Sequence, residues 1–214
     1  MDRDLEARAR LHAALGDPVR LGIVDDLATS DRSPKELGAA FDLPSNLLAH
    51  HLDVLEQAGV IERFVSAGDR RRRYIRLRGE PLADLGLVPT RDAGTVLFIC
   101  SHNSARSQLA AALWQARTGH PASSAGTHPA QYVHPGAVAA AGRAGLDLAD
   151  AEPRLLDSTD RADVVVTVCD RAHEELQPEP NWRHWSLPDP VEAGTDEAFD
   201  AIVADLDIRI RSLT

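Results

Sequence analysis

The chain has 214 residues, a formal net charge of −10, two cysteines and one methionine. That length supports one large or two small domains, each able to bury a core. Two cysteines are too few for a disulfide scaffold, and no apolar run approaches the ~20 residues that cross a bilayer. The start, Asp2-Arg3-Asp4, has no signal-peptide character, so a reducing cytoplasm is the expected location and no membrane partner is expected. Residues 1–89 hold 13 Lys plus Arg against 15 Asp plus Glu, whereas residues 90–214 hold 10 against 18. The acidic second part is thereby excluded as a nucleic-acid binder. Basic charge gathers instead in Arg70, Arg71, Arg72 and Arg73, with Arg76 and Arg78, a local patch suited to a phosphate backbone.

Leu5 to Leu15 carries apolar residues at helical spacing. Asp17-Pro18 marks a fresh start, with Asp17 as N-cap and Pro18 at the first helical position, for a helix from Val19 to about Ala28. Ser33-Pro34 repeats the signature for a short helix to Phe41. After Asp42-Leu43, Pro44 opens a helix from Ser45 to Gln57 that ends near Gly59, and two short helices joined this way make a helix-turn-helix. Val60–Val65, a turn at Ala67-Gly68-Asp69, and Arg71–Leu77 alternate as a hairpin, which in this position is a wing.

The order of these elements, with the phrases Ala14-Leu-Gly-Asp-Pro-Val-Arg-Leu21, His50-His-Leu-Asp-Val-Leu-Glu-Gln-Ala-Gly59 and Arg73-Tyr-Ile-Arg-Leu77, resembles the ArsR-type winged-helix repressors over about residues 5–80. The resemblance implies major-groove binding to double-stranded operator DNA, with Ser45, Asn46 and His50 on bases or phosphates and the wing arginines Arg70, Arg71, Arg72 and Arg73 on the backbone. His51 reads as a packed or capping histidine. The resemblance also implies a homodimer through a helix after the wing, for which Gly79 to Gly86 leaves little room. Metal-sensing members carry a Cys pair in the first helix of the motif, and Ser33-Pro-Lys-Glu-Leu37 has none. No arsenite sensing by thiolates is expected there.

Residues 1–85 are thus read as a winged-helix domain, 86–94 as a linker with Pro and Gly, and 95–214 as a second domain. In that domain Thr95–Ile99 reads as a buried parallel strand and Ser107–Trp114 as the first turns of a helix continuing through Ala116. A short strand near Ala122, a helix from Pro135 to Ala144, a strand from Ala162 to Val168 and a last helix from Asp196 to Leu213 follow. Alternating strands and helices argue for an α/β domain with a parallel sheet, whose first strand-to-helix loop binds anions. In that loop stand Cys100 and, six positions on, Arg106. Successive N–H groups form a nest there, and the positive end of the helix favours both a tetrahedral anion and a thiolate below the usual ~8.5. Arg106 forks onto two oxygens, Asn103 braces the loop, Ser107 donates to the sulfur, and His102 either donates to the anion or points to solvent.

Cys100-Ser-His-Asn-Ser-Ala-Arg-Ser-Gln108, Ser124-Ala-Gly-Thr127, Val165-Val-Thr-Val-Cys169 and His184-Trp-Ser-Leu-Pro-Asp-Pro190 together resemble the low-molecular-weight protein tyrosine phosphatase fold, and more closely its arsenate reductase branch, over roughly 94–214. Phosphatases of this fold follow the late Asp-Pro with an aromatic, where this chain has Val191. Reductases end the strand of Val164–Val168 with a Cys, where this chain has Cys169. The resemblance implies that Cys100 attacks arsenate, that the N–H groups of Ser101, His102, Asn103, Ser104, Ala105, Arg106 and Ser107 hold the oxyanion with the Arg106 side chain, and that Asp189 protonates the departing oxygen. A second thiol then releases arsenite. In thioredoxin-linked members a third Cys follows seven positions after the second, and here that position is Leu176. Either Cys169 attacks Cys100 and an external reductant opens the disulfide, or a small thiol attacks first; Cys169 also reads as a small apolar residue closing a strand. The reductant is then mycothiol with mycoredoxin, glutathione with glutaredoxin, or thioredoxin, and no bound cofactor is expected. Ala105 replaces a second loop Cys and Ala111 a potassium-binding Glu, so no potassium requirement is expected. His120, His128, His134, His173 and His184 lack metal-ligand spacing and read as surface or turn residues, and Trp182 and Trp185 as packing. The function expected is thiol-dependent arsenate reduction fused to a repressor of an arsenic-responsive operon. Its rivals are a non-catalytic oxyanion sensor and a tyrosine or small-molecule phosphatase with a DNA-targeting domain.

Overall fold

The computed structural model describes residues 3–78, 94–179 and 181–211. The chain forms two compact units, and each is taken by itself. The expected short helix at 79–86, the 85/86 domain boundary and residues 86–93 of the expected linker lie outside the described residues. No described helix is long and apolar enough to cross a membrane.

The first unit contains α1 (Arg3–Leu15), α2 (Pro18–Leu27), α3 (Pro34–Ala40), α4 (Ser45–Gln57), β1 (Ile61–Val65) and β2 (Arg73–Leu77). The starts follow from capping. Asp17 Oδ1 accepts from the N–H groups of Val19 and Arg20, each at 3.0 Å, ahead of Pro18. Ser33 and Glu36 form a reciprocal capping box around Pro34. Asp42, at φ 51°, turns the chain from α3 towards α4. α4 buries Leu48, His51, Leu52 and Leu55, a stripe at helical spacing that packs into the core with Ile23, Leu27 and Leu37. His51 is packed, with Nδ1 3.8 Å from the capping carboxylate of Asp17.

The hairpin is antiparallel with Phe64 opposite Tyr74. Its second strand starts at Arg73 rather than Arg71, so Arg71 and Arg72 belong to the turn. Arg76 leaves the basic patch: its guanidinium lies 4.9 Å from the Phe64 ring centroid and 3.6 Å from the buried Asp31.

The second unit contains β3 (Val96–Cys100), α5 (Arg106–Thr118), β4 (Ala122–Gly126), α6 (Pro135–Arg143), β5 (Val164–Thr167), α7 (Asp170–Leu176), β6 (Arg183–His184), α8 (Pro190–Ala193) and α9 (Asp196–Arg211). The sheet order is β4-β3-β5-β6, all parallel. All five residues of β3 are buried, as an apolar run between two neighbouring strands requires. Phe98 meets Trp114 of α5 and Trp185 with ring centroids 6.1 and 5.7 Å apart.

Three short elements go beyond the sequence reading. α7 starts where Cys169 caps it, α8 is one turn long, and β6 has two residues. α8 is capped by Asp189 ahead of Pro190, the same device as Asp17-Pro18. β5 is shorter than the expected Ala162–Val168 at both ends. Asp163 accepts from the Thr95 N–H and hydroxyl at 2.8 and 2.9 Å, which ties it to the start of β3 rather than into the ladder.

Two leucines of α4 test the packing account. Leu55 is fully buried and Leu47 is 41% exposed. Leu55→Ala should cost about 2–5 kcal/mol, and Leu47→Ala no more than about 0.5 kcal/mol, in urea unfolding followed by circular dichroism.

Candidate functional site

Cys100 is the last residue of β3, an interior strand, and the loop that leads from it to α5 is closed by one side chain. Asn103 takes a left-handed backbone, φ 48°, which Asn tolerates better than branched residues. Its N–H donates to Cys100 Sγ at 3.2 Å. Its Nδ2 donates to Ser107 Oγ at 2.8 Å and Ser124 Oγ at 2.9 Å. Its Oδ1 accepts from Gln108 Nε2 at 3.2 Å and from the Arg154 N–H at 2.9 Å. Both donors and both acceptors of the amide are used. Ser107 Oγ accepts from Asn103 and lies 3.0 Å from Cys100 Sγ, which leaves its O–H to point at the sulfur. β4 presses against the same loop at Gly126. A Cβ there would stand 2.8 Å from the Ser101 carbonyl oxygen, so only glycine allows the approach.

Ala105 caps α5 with no side-chain hydrogen bond. Among the described residues the N–H groups of Ser104, Ala105, Arg106 and Ser107 make no hydrogen bond. Four free donors at the positive end of a 13-residue helix are an anion-binding arrangement. Ser101 departs from expectation. Its N–H donates to Cys169 Sγ at 3.3 Å and its hydroxyl lies 3.5 Å from the same sulfur, so it serves the second thiol rather than an oxyanion. The Cys169 sulfur also accepts from the Ala172 N–H at 3.4 Å. Burial pushes the Cys169 thiol up, against the opposing pull of Arg106.

Arg106 is buried, and the 187–189 segment holds it. Its Nη1 donates to the Leu187 carbonyl at 3.0 Å and its Nη2 to Asp189 Oδ2 at 2.6 Å, while Asp189 Oδ1 accepts from the Val191 N–H at 3.0 Å. The guanidinium plane is therefore set before any anion arrives. A cavity of about 170 Å³ is bounded by Cys100, His102, Arg106, Arg171, Asp189 and Val191. His102 is exposed at its rim, with Nδ1 3.1 Å from the His128 carbonyl oxygen.

The structure thus brings together Cys100, Cys169, Arg106, Asp189 and the loop residues. It adds residues to which the sequence reading gives no role: Ser124, Gln108, Gly126 and the Leu187 carbonyl, all inside the quoted motifs, and Arg171, for which the sequence carries no signal. His173 and His184, read as surface or turn residues, are instead buried behind Cys169. His134 caps α6 through Nδ1. Among the described residues no group of three or more His, Cys, Asp or Glu is arranged to hold a metal ion. In the first unit Ser45, Asn46 and His50 are exposed along α4, and Arg70, Arg71, Arg72 and Arg73 are exposed on the hairpin.

Residues 95–214 match the family described as low molecular weight phosphotyrosine protein phosphatase. The chain belongs to this phosphatase family. Residues 15–63 match a helix-turn-helix domain. An arsenate reductase of Brevibacillus brevis is 36% identical over 104 residues, which span 45% of this chain and 77% of that protein. An arsenate reductase of Bacillus licheniformis is 33% identical over 111 residues, spanning 48% and 79%. The low molecular weight protein tyrosine phosphatase structure from T. tengcongensis superposes with a TM-score of 0.50 at 21% identity, over 56% of this chain and 97% of that one. That likeness shows the phosphatase-family fold.

Asn103→Ala leaves Ser107, Ser124, Gln108 and the Arg154 N–H each short of a partner. It should lower the stability of the second unit by about 2–4 kcal/mol and weaken inorganic phosphate binding by roughly tenfold or more, read by urea unfolding and titration calorimetry.

Proposed function

We propose that the second unit reduces arsenate to arsenite with thiols and that the first binds operator DNA and represses an arsenic-responsive operon. The observation that carries the enzymatic reading is the pair of buried sulfurs, Cys100 and the Cys169 that accepts from its chain neighbour Ser101, beside a guanidinium and four free N–H groups. A phosphatase needs one of these sulfurs. Reduction needs two thiols, because As(V) becomes As(III) by taking two electrons, and Cys169 stands where it can supply the second within the chain.

In the first step the Cys100 sulfur attacks arsenic, with Arg106 and the N–H groups of Ser104 to Ser107 on the oxyanion; the proton given up by the Cys100 thiol passes to Asp189 and from it to the departing oxygen, which leaves as water. In the second, the Cys169 sulfur attacks the Cys100 sulfur. The S–S bond forms, the S–As bond breaks, its electron pair stays on arsenic, and arsenite leaves. An external thiol then reopens the Cys100–Cys169 disulfide. Both sulfurs are buried, and Leu176 stands where a third thiol would carry the disulfide outward. Those two facts favour a small thiol, of the glutathione or mycothiol kind, over a protein reductant.

Val191, on the cavity wall beside Asp189, supports an inorganic oxyanion over an aryl phosphate, since it offers no ring for stacking. In the first unit the exposed face of α4 enters the major groove, with Ser45, Asn46 and His50 towards the bases and Arg70, Arg71, Arg72 and Arg73 on phosphates. A homodimer places two such helices on a palindromic operator.

Cys100→Ser should abolish arsenite production while operator binding persists, and Arg106→Lys should fall by roughly a hundredfold, since a point charge cannot fork onto two oxygens. Arsenite release by Cys100→Ser at the unsubstituted rate would refute the mechanism. Replacing Arg71, Arg72 and Arg73 by Ala should weaken binding to all DNA sequences and reduce the salt slope by about 1 for each arginine withdrawn from a phosphate, whereas Asn46→Ala should mainly lose discrimination between operator and random DNA. Titrations of labelled DNA at several salt concentrations read both effects.

A further inference from the structure

Directly behind Cys169 lies a buried polar cluster that takes no part in the chemistry above. Thr167 ends β5, Asp170 and His173 belong to α7, His184 belongs to β6, and Ser186 follows it. Thr167 and His184 are 0% exposed and Asp170 is 2% exposed. Asp170 Oδ1 lies 3.1 Å from His184 Nε2, His184 Nδ1 lies 3.0 Å from Thr167 Oγ1, and Thr167 Oγ1 lies 2.8 Å from His173 Nδ1. The two imidazoles stack with centroids 4.0 Å apart. Burial alone would raise the Asp170 carboxyl. Hydrogen bonds from His184 and Ser186 outweigh it and hold the group below the ordinary carboxylate range.

A carboxylate this deep is costly, and an apolar side chain of similar volume would stabilise the fold as well or better. What such a pair supplies is fixed geometry, and the residue it fixes here is Cys169. Thr167, two positions before the thiol, and Asp170, one after it, both bond to His184. On the other side the Val168 N–H donates to the Ile99 carbonyl at 2.7 Å, and the Cys169 carbonyl accepts from the His173 N–H at 3.2 Å. The backbone of Cys169 is therefore anchored to β3, to β6 and within α7. Its side chain keeps a single torsion, χ1, directed to the Ser101 side where Cys100 lies.

We propose that the Asp170–His184 pair positions the resolving thiol, holding the Cys169 turn against β6 so that its sulfur reaches Cys100 by side-chain rotation with α7 intact. The inference rests on the reading of Cys169 as the resolving thiol. The step it serves is the one written above: the Cys169 thiol gives its proton to water, its sulfur bonds to that of Cys100, and the S–As electron pair passes to arsenic. Asp170 and His184 touch neither arsenic nor the reacting sulfurs, so they are positioning residues.

The test uses the full chain, mixed with arsenate in the absence of reductant and quenched with N-ethylmaleimide at timed intervals. Intact mass then gives the rate at which two thiols become blocked to the reagent, and titration with inorganic phosphate reports on the Cys100 loop independently. Asp170→Ala and His184→Phe should slow disulfide formation roughly tenfold or more, as expected when a reacting group is misplaced by about 1 Å. Asp170→Asn, which keeps an acceptor for His184 Nε2, should recover most of the rate, and phosphate affinity should be unchanged in all three. Disulfide formation by Asp170→Ala at the unsubstituted rate would overturn the proposal. So would a loss of phosphate affinity parallel to the loss of rate, which would make the pair a general support of the fold. If the unsubstituted chain produces arsenite with 2-mercaptoethanol but never forms the disulfide, Cys169 is not the resolving thiol and the proposal falls with that reading. That outcome appears in the unsubstituted chain and so is distinct from failure of the variants.

Discussion

Asn103 holds a left-handed backbone while its side-chain amide satisfies both donors and both acceptors inside the second unit, and the geometry of the site depends on that closure. The amide joins the start of α5, through Ser107 and Gln108, to β4 at Ser124 and to the chain at Arg154. Its own N–H reaches the Cys100 sulfur. Among the described residues the N–H groups from Ser104 to Ser107 make no hydrogen bond, since they lead into the first turn of α5, which has no intrahelical acceptor for them. Close approach at Gly126, whose missing Cβ lets β4 lie against the Ser101 carbonyl, completes the bracing of the loop.

A second constraint is electrostatic. Arg106 is buried and bonded to Asp189, so the cation and the carboxylate that border the cavity are held by each other. An anion entering the cavity meets a guanidinium already bonded to the Leu187 carbonyl and to Asp189. Ser101 bonds the second thiol. Its N–H serves Cys169 while its neighbours in the loop serve Cys100, so one short loop addresses both sulfurs.

How much of this is legible in the sequence follows from what each feature depends on. Capping is local, so Asp17-Pro18, Ser33-Pro34 and the stripe on α4 are readable from spacing. Asp189-Pro190 carries the same signature but reads first as chemistry, which hides α8. The strand, loop and helix around Cys100 are readable because an apolar run, a Cys-x5-Arg spacing and an Ala-rich helix stand in one order. The N–H of Ser101 reads as an anion donor, since nothing local shows that Cys169, 68 positions later, lies beside it. His173 and His184 read as surface residues for a related reason. Each is polar in its own window, and only the parallel pairing of β5 with β6 and the folding of α7 over them buries both. Arg76 looks like part of a basic patch until the hairpin register places it over Phe64.

Two sulfurs beside an anion nest favour reduction over hydrolysis, and the two reactions release different products. The most direct measurement incubates the full chain with arsenate and a small thiol, and in parallel with an aryl phosphate, and quantifies arsenite and released phenol. Arsenite production that requires the thiol, with little or no phenol, is the expected result. Steady release of phenol with no arsenite under any thiol would contradict it.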